Sequence, residues 1–289
     1  MTVIRGRDTC ALIPGWCTRV SAVDLNHHRV GDGPPLVLIH GIGSRWQMWE
    51  PVLRRLATER DVIALDLPGF GASPMPPPGT PPGLPSLTRL VSEFLDGLGV
   101  QQPHVAGNSL GGAIALELAK QGRVRSATGL SPAGFYNDKE AAYAQRSLKF
   151  TVRTSRLLAP RVDRLTASPL VRTLTFSQVV AKPRLMGAAD AAASVRALAQ
   201  APWFDDTLPA IADERFAGGE AIQVPVTIAW GTKDRLLPPR QVLVAKAALP
   251  QARFLPLRGC GHVPMTDDPA LVADVVLQGS SRRLESHAS

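Results

Sequence analysis

The 289-residue chain is 45% hydrophobic and 19% charged, a composition that fits a globular protein and excludes a disordered or fibrous one. It contains no run of about 18 apolar residues, so no membrane-spanning helix is expected. The net charge of +8 comes from dispersed basic residues without interleaved aromatic side chains. We therefore expect no nucleic-acid partner.

The amino-terminal residues and the cysteines bear on the cellular compartment of the protein. Residues 1–19 lack the continuous apolar stretch and the small-residue cleavage site of a signal peptide, so we expect a cytoplasmic protein. Cys10, Cys17 and Cys260 are too few and too scattered for a disulfide framework. We expect all three to be reduced thiols.

Strand and helix patterns alternate along the first half of the chain. A turn cluster at 31–35 follows a partly alternating stretch, which predicts an early strand pair over residues 19–30. Short apolar runs then predict buried strands at 36–39, 61–65, 104–108 and 125–130. Helical spacing between them predicts helices at 46–57, 87–98 and 110–121. This alternation is typical of a parallel α/β sheet.

The pattern changes after residue 133. Residues 134–216 contain helical patterns, at 143–158, 170–180 and 188–199, and no convincing strand. Strands at 224–230 and 252–257 and helices at 240–248 and 269–277 then restore the alternation. We predict a core of residues 1–133 and 217–280, a helical cap of residues 134–216, and a disordered tail of residues 281–289.

The sequence G-N-S-L-G at residues 107–111 lies between a predicted strand and a predicted helix. A G-x-S-x-G sequence in this context forms a sharp turn that exposes the serine hydroxyl, and the glycines avoid collisions with the neighbouring chain. Ser109 is therefore the candidate nucleophile.

A serine hydroxyl needs a base, and the base needs a carboxylate that fixes its tautomer. Of the six histidines, His262 lies in a glycine-rich loop directly after the last predicted strand. Asp234 lies in the loop after the preceding strand, whereas Asp66 and Asp267 are less well placed. The chain order Ser109, Asp234, His262 is the order of α/β-hydrolases.

The reaction also needs donors for the developing oxyanion. The sequence H-G-I-G at residues 40–43 follows the first buried strand, so its loop should approach the nucleophile. We expect the backbone N–H groups of Ile42 and Leu110 to form the oxyanion hole.

Together these segments, with residues 66–71, 231–234 and 261–262, resemble the serine-dependent α/β-hydrolase superfamily, in its lidded branch of esterases and C–C hydrolases. The resemblance implies a mostly parallel eight-stranded sheet flanked by helices, with a helical cap inserted after the sixth strand. It also implies that the enzyme needs no cofactor and no metal. C–C hydrolases often have an aromatic residue after the histidine, whereas this chain has Val263.

The predicted activity is hydrolysis of an ester, thioester or lactone of a small to medium hydrophobic substrate, through an acyl-enzyme. The same three residues would also serve an acyltransferase, a cyclase or a C–C hydrolase, and a non-catalytic small-molecule binding protein is the alternative of another class. Trp203, Phe204 and Val263 are candidate pocket residues. Basic residues far outnumber acidic ones between residues 139 and 204. This excess fits an anionic or acyl-carrier-bound substrate as well as solvated helix faces.

Overall fold

The computed structural model describes residues 23–281. Its strands form one seven-stranded sheet in the order β1-β3-β2-β4-β5-β6-β7. The β1 strand pairs antiparallel with β3, and every other neighbouring pair is parallel. The strands are β1 (His27–Val30), β2 (Pro35–Ile39), β3 (Asp61–Leu65), β4 (His104–Asn108), β5 (Ser126–Leu130), β6 (Val226–Gly231) and β7 (Arg253–Leu257).

Helices cover both faces of this sheet. Alternate residues of β2 point to opposite faces, so Val37 packs in the cluster with α2 and α3, and Leu38 packs in the cluster with α1 and α11. These helices are α1 (Glu50–Leu56), α2 (Leu84–Gly97), α3 (Leu110–Lys120) and, at the carboxyl end, α11 (Pro269–Ser281). Burial on both faces explains why the central strands are continuous apolar runs.

A helical segment separates β5 from β6. Its helices are α4 (Asp138–Leu158), α5 (Val162–Thr166), α6 (Pro169–Phe176), α7 (Ala188–Ala199) and α8 (Phe204–Ala212). Two short helices, α9 (Val242–Ala248) and α10 (Pro264–Asp267), complete the second part of the core. An Asn137 capping box fixes the start of α4, because its side chain accepts from Glu140 N while the Glu140 carboxylate accepts from Asn137 N.

The mostly parallel α/β sheet is confirmed, but the strand count differs from the prediction. The described residues form seven strands instead of eight, and the helical segment follows the fifth of them instead of the sixth. The difference lies at the start, where residues 23–26 form no strand and only His27–Val30 pairs with the sheet. Residues 1–22 lie outside the described part of the chain.

The carboxyl end also differs from the prediction. The last helix continues to Ser281, past the predicted end at residue 277, because Val276, Leu277 and Ser280 are still buried against the core. Residues 282–289, which make up most of the predicted tail, lie outside the described range. Among residues 23–281, no helix has the length and apolar character needed to cross a membrane.

Candidate active site

Ser109 occupies a strained turn between β4 and α3. Its φ of 56° and ψ of −116° place a non-glycine residue at positive φ, a conformation that surrounding structure must hold in place. A Cβ at Gly107 would lie 2.0 Å from the Gly111 carbonyl oxygen, and one at Gly111 would lie 2.1 Å from that of Ile39. The turn therefore requires both glycines, as the sequence predicts.

The loop after β2 approaches this turn. A Cβ at Gly41 would lie 3.2 Å from Ser109 Cβ, which places the loop beside the serine. His40 is fully buried and anchors the loop, since its Nδ1 lies 2.7 Å from the Gly41 carbonyl oxygen and its Nε2 accepts from Leu67 N at 2.9 Å. Burial lowers the pKa of His40, which keeps the ring neutral and able to accept at Nε2.

The two expected oxyanion donors are available for a ligand. Leu110 is the first residue of α3, where an N–H has no partner within the helix. Among the described residues, neither Leu110 N nor Ile42 N donates a hydrogen bond to another protein atom. Ile42 lines the same cavity as Ser109.

Asp234 and His262 form a buried pair. The Nδ1 atom of His262 lies 2.7 Å from Asp234 Oδ2, and both side chains are almost fully enclosed. The other carboxylate oxygen, Oδ1, accepts from the backbone N–H groups of Leu236 and Leu237 at 2.9 and 2.8 Å. These bonds fix the carboxylate, which in turn fixes the imidazole tautomer with hydrogen on Nδ1.

Ser109 and His262 line one cavity of about 570 Å³. No hydrogen bond joins the Ser109 hydroxyl to His262 among the described residues. Such bonds are often long in ligand-free enzymes and tighten when substrate binds, so this geometry is compatible with a nucleophile and its base.

Asn108 contributes a contact that the sequence did not reveal. It is buried, and its Nδ2 donates both to the Leu130 carbonyl at 2.9 Å and to the His262 carbonyl at 2.8 Å. One amide thus ties the ends of β4 and β5 to the histidine loop. The Asn108 position inside G-x-S-x-G gave only a weak signal, because that position accepts many residue types.

Asp267 anchors the other side of the histidine loop. Its buried carboxylate accepts from Gly261 N at 2.8 Å, from Ala181 N at 3.0 Å and from Lys182 N at 2.6 Å. The Val263 N–H also donates to the Val179 carbonyl at 2.7 Å. The histidine loop is therefore tied to the segment between α6 and α7.

Asp66 also has a structural role, because its carboxylate accepts from Trp46 N and Ala72 N.

Two of the three predicted pocket residues do not line the cavity. Val263 lines the cavity, but Trp203 and Phe204 do not; both are buried in the main core. Trp203 packs against Gly69 and the Phe204 ring against Gly43, so they support the loops around the site from behind. Residues of the helical segment in the wall include Leu148, Thr151, Ser155, Phe176, Val179, Leu185, Met186, Val195 and Leu198.

Cys260 is buried two residues before His262, and burial raises the pKa of its thiol to about 11. The thiol is therefore a poor nucleophile at neutral pH, which favours Ser109. Cys10 and Cys17 lie outside the described residues.

Within residues 23–281, no cluster of three or more histidine, cysteine or acidic side chains could hold a metal ion.

Comparison with known proteins supports the same fold. The chain is 32% identical to an uncharacterized protein of Mycobacterium tuberculosis over 85% of this chain and 75% of that protein. It is 33% identical to the epoxide hydrolase EphH of the same organism, over 64% of this chain and 89% of EphH. A thermophilic esterase from Thermogutta terrifontis superposes with a TM-score of 0.67 at 20% identity, over 88% of this chain and 92% of the esterase.

A family model for the alpha/beta hydrolase fold matches residues 34–269, which include every strand from β2 to β7 and the whole helical segment. The chain therefore belongs to the alpha/beta hydrolase fold family.

Proposed function

We propose that this chain is a serine hydrolase that cleaves a carboxylic ester, thioester or lactone. Ser109 is the nucleophile, His262 the general base and Asp234 the residue that orients it. The observation that carries this proposal is the buried Asp234–His262 hydrogen bond of 2.7 Å, beside a cavity that also contains the strained Ser109 turn.

The first half of the reaction forms an acyl-enzyme. The Ser109 hydroxyl attacks the carbonyl carbon while His262 Nε2 takes its proton, and the Asp234 carboxylate stabilises the resulting imidazolium. The carbonyl oxygen becomes an oxyanion, which accepts hydrogen bonds from Ile42 N and Leu110 N. One such donor typically contributes about 2.7–4 kcal/mol to lowering the barrier.

The second half releases the acid. As the tetrahedral intermediate collapses, the bond to the leaving group breaks and His262 gives it the proton. A water molecule then attacks the acyl-enzyme with His262 again as base, and Ser109 regains its proton when the acid departs. Asn108 and Asp267 hold the histidine loop through both halves.

The cavity favours an uncharged, mainly apolar substrate. Its volume of about 570 Å³ lies within the range of roughly 300–1,000 Å³ typical of small-molecule sites. Apolar side chains outnumber polar ones in the part contributed by residues 134–216, which we take to be the cap. The charged residues that line the cavity are Arg45, Glu50 and Asp190. The cavity wall therefore complements an acyl chain better than it complements an anion.

Labelling with a fluorophosphonate probe tests this proposal. Wild type should be labelled and should hydrolyse short and medium p-nitrophenyl esters, and Ser109→Ala should lose both properties. Ser131→Ala is the matched control, because Ser131 also has positive φ and lies at the end of the next strand but is fully buried. It should keep the label.

Two outcomes would contradict the proposal. Labelling that persists in folded Ser109→Ala would assign the reactive group to another residue. A folded wild type that neither reacts with the probe nor turns over any ester would favour a binding protein.

A further inference from the structure

Exposed apolar side chains concentrate on the helical segment. Of the ten large apolar residues that are exposed within residues 23–281, six lie between residues 143 and 185. Four of these six are at least two-thirds exposed: Phe150 (72%), Leu157 (75%), Leu170 (67%) and Leu174 (72%). Scattered exposed apolar residues are normal, whereas exposed apolar residues that adjoin one another on one face mark a surface that contacts an apolar partner.

The α4 helix places two of them on one face. Phe150 and Leu157 are seven residues apart, which in an α-helix brings them within about 20° of each other around the axis. Arg146, Lys149 and Arg153 flank them within roughly 100°. We call these five residues the α4 outer face. All five are exposed, and α6 adds Leu170 and Leu174, which are four residues apart.

The charge of the chain is concentrated in the same segment. Residues 138–187 contain ten basic and three acidic residues, and the whole chain carries only +8. The three cations of the α4 outer face form no ion pair with any described residue. No lysine or arginine of residues 138–187 lines the cavity. Nine of these ten basic residues are exposed, and Arg172 is buried. Most of the positive charge therefore faces solvent and is not part of the substrate site.

We propose that the α4 outer face docks on an anionic lipid surface. Apolar side chains that enter the headgroup region, flanked by lysine and arginine, are the chemistry that binds such surfaces. Like charge opposes pairing of this face with a second copy of the chain. An acidic acyl carrier would complement the cations but not the exposed apolar side chains of Phe150 and Leu157. This docking goes beyond the proposed hydrolase activity and does not require it.

The opposite side of the same helix connects docking to the cavity. Leu148, Thr151 and Ser155 of α4 line the cavity wall. A helix is about 10 Å across, so a lipid surface on the outer face would lie one helix away from the cavity. An apolar substrate held in lipid would then reach the cavity over a short distance, without crossing bulk water.

Vesicle co-sedimentation of the full chain tests the proposal. Wild type should bind vesicles of phosphatidylcholine mixed with phosphatidylglycerol, should bind phosphatidylcholine alone much more weakly, and should dissociate as salt is raised. The variant Arg146→Gln/Arg153→Gln should bind the anionic vesicles about 30-fold more weakly, the size expected for two cations near such a surface. Phe150→Ser/Leu157→Ser should weaken binding at least about tenfold.

Matched controls separate this surface from general charge and hydrophobicity. Arg54→Gln and Leu243→Ser alter an exposed cation and an exposed apolar residue outside the helical segment, and should bind like wild type. All variants should hydrolyse a short soluble ester at the wild-type rate, so loss of vesicle binding is distinguishable from failure of the hydrolase proposal.

Three results would overturn the docking proposal. The first is that wild type does not bind the anionic vesicles. The second is that both double variants bind them as tightly as wild type does. The third is that the chain binds an acyl-carrier protein but does not bind vesicles. The last result would assign the basic surface to that carrier.

Discussion

The side-chain amide of Asn108 donates a 2.8 Å hydrogen bond to the backbone carbonyl of His262, 154 residues along the chain. The same nitrogen donates to the Leu130 carbonyl at 2.9 Å. Asn108 precedes the candidate nucleophile, and His262 is the candidate base. One buried amide therefore sets the position of the histidine loop relative to the turn that holds Ser109.

Replacing Asn108 should impair catalysis as well as stability. Asn108→Ala leaves two buried carbonyls without this donor and frees the histidine loop, and we expect kcat to fall about tenfold, the equivalent of one lost hydrogen bond. Asn108→Asp should be worse, because a carboxylate would face two carbonyl oxygens. Steady-state kinetics and thermal unfolding measure the two effects.

Asn137→Ala is the matched control for Asn108. Asn137 likewise bonds to the backbone, in its case by accepting from Glu140 N as the cap of α4, but it lies outside the cavity wall. Its loss should lower stability by about 1 kcal/mol and leave kcat unchanged. If both asparagine variants lowered kcat equally, Asn108 would have no special positioning role.

The parts of the site that depend on local sequence could be predicted, and the parts that depend on distant contacts could not. Ser109 follows from a five-residue pattern between a strand and a helix, and the sheet follows from continuous apolar runs. Asn108 and Asp267 act on residues 154 and 86 positions away, and no local pattern encodes such pairs.

The cavity wall was hard to predict for another reason. Trp203 and Leu148 are both apolar residues of the helical segment, yet the first is buried in the core and the second lines the cavity. Core packing and a substrate wall require the same residue type. Of the early strand pair predicted over residues 19–30, the described residues 23–30 form a strand only at 27–30, because a partly alternating stretch also occurs outside the sheet.

Asp234→Asn should abolish most activity without unfolding the protein. Asparagine keeps an oxygen for the Leu236 and Leu237 N–H groups but presents its NH₂ to His262 Nδ1, which favours the wrong tautomer. We expect kcat to fall about 10⁴-fold. The measurement is steady-state hydrolysis, with circular dichroism to verify the fold. An activity loss below tenfold would contradict the assigned role of Asp234.

Gly107→Ala should destabilise the fold strongly. The added Cβ would lie 2.0 Å from the Gly111 carbonyl oxygen, a backbone atom at the start of α3 that cannot move aside. We expect a loss of about 3 kcal/mol or more in the free energy of unfolding, at the upper end for overpacking. Denaturant titration gives this value.

The control for Gly107 is Gly122→Ala. Gly122 has φ of +66°, but nothing lies within 4 Å of its added Cβ, so only the backbone conformation is penalised, by about 1 kcal/mol. Equal losses for the two variants would show that the turn tolerates a side chain at residue 107.

Cys260 should be dispensable for activity. Because burial raises the pKa of its thiol to about 11, the folded protein with Cys10→Ser and Cys17→Ser should react with a disulfide reagent only after unfolding. Cys260→Ala in that background should keep kcat within about twofold of wild type. The small cavity that the substitution leaves should lower the free energy of unfolding without changing the reacting groups. Loss of ester turnover and probe labelling in this variant, with the fold intact, would instead place the thiol in the reaction.

Stability should fall below pH 6.5, in part because of His104. Burial, followed by the charges of Arg60 and Arg125, lowers the pKa of His104 from 6.5 to about 4. Between these values the unfolded chain binds the proton and the folded chain does not, so the free energy of unfolding decreases as the pH falls. Burial also lowers the pKa of His40, which adds to the same trend.

His104→Gln isolates the His104 share of this pH dependence. Glutamine does not titrate, so the decline in unfolding free energy between pH 6.5 and 4 should be shallower in the variant than in wild type. Above pH 7 the two proteins should show parallel curves, whatever the cost of the lost contact to Ser126. Because the carboxylates that contribute to acid unfolding are present in both proteins, the difference between the curves reports His104 alone. Parallel curves over the whole range would mean that His104 titrates alike in the folded and unfolded chains.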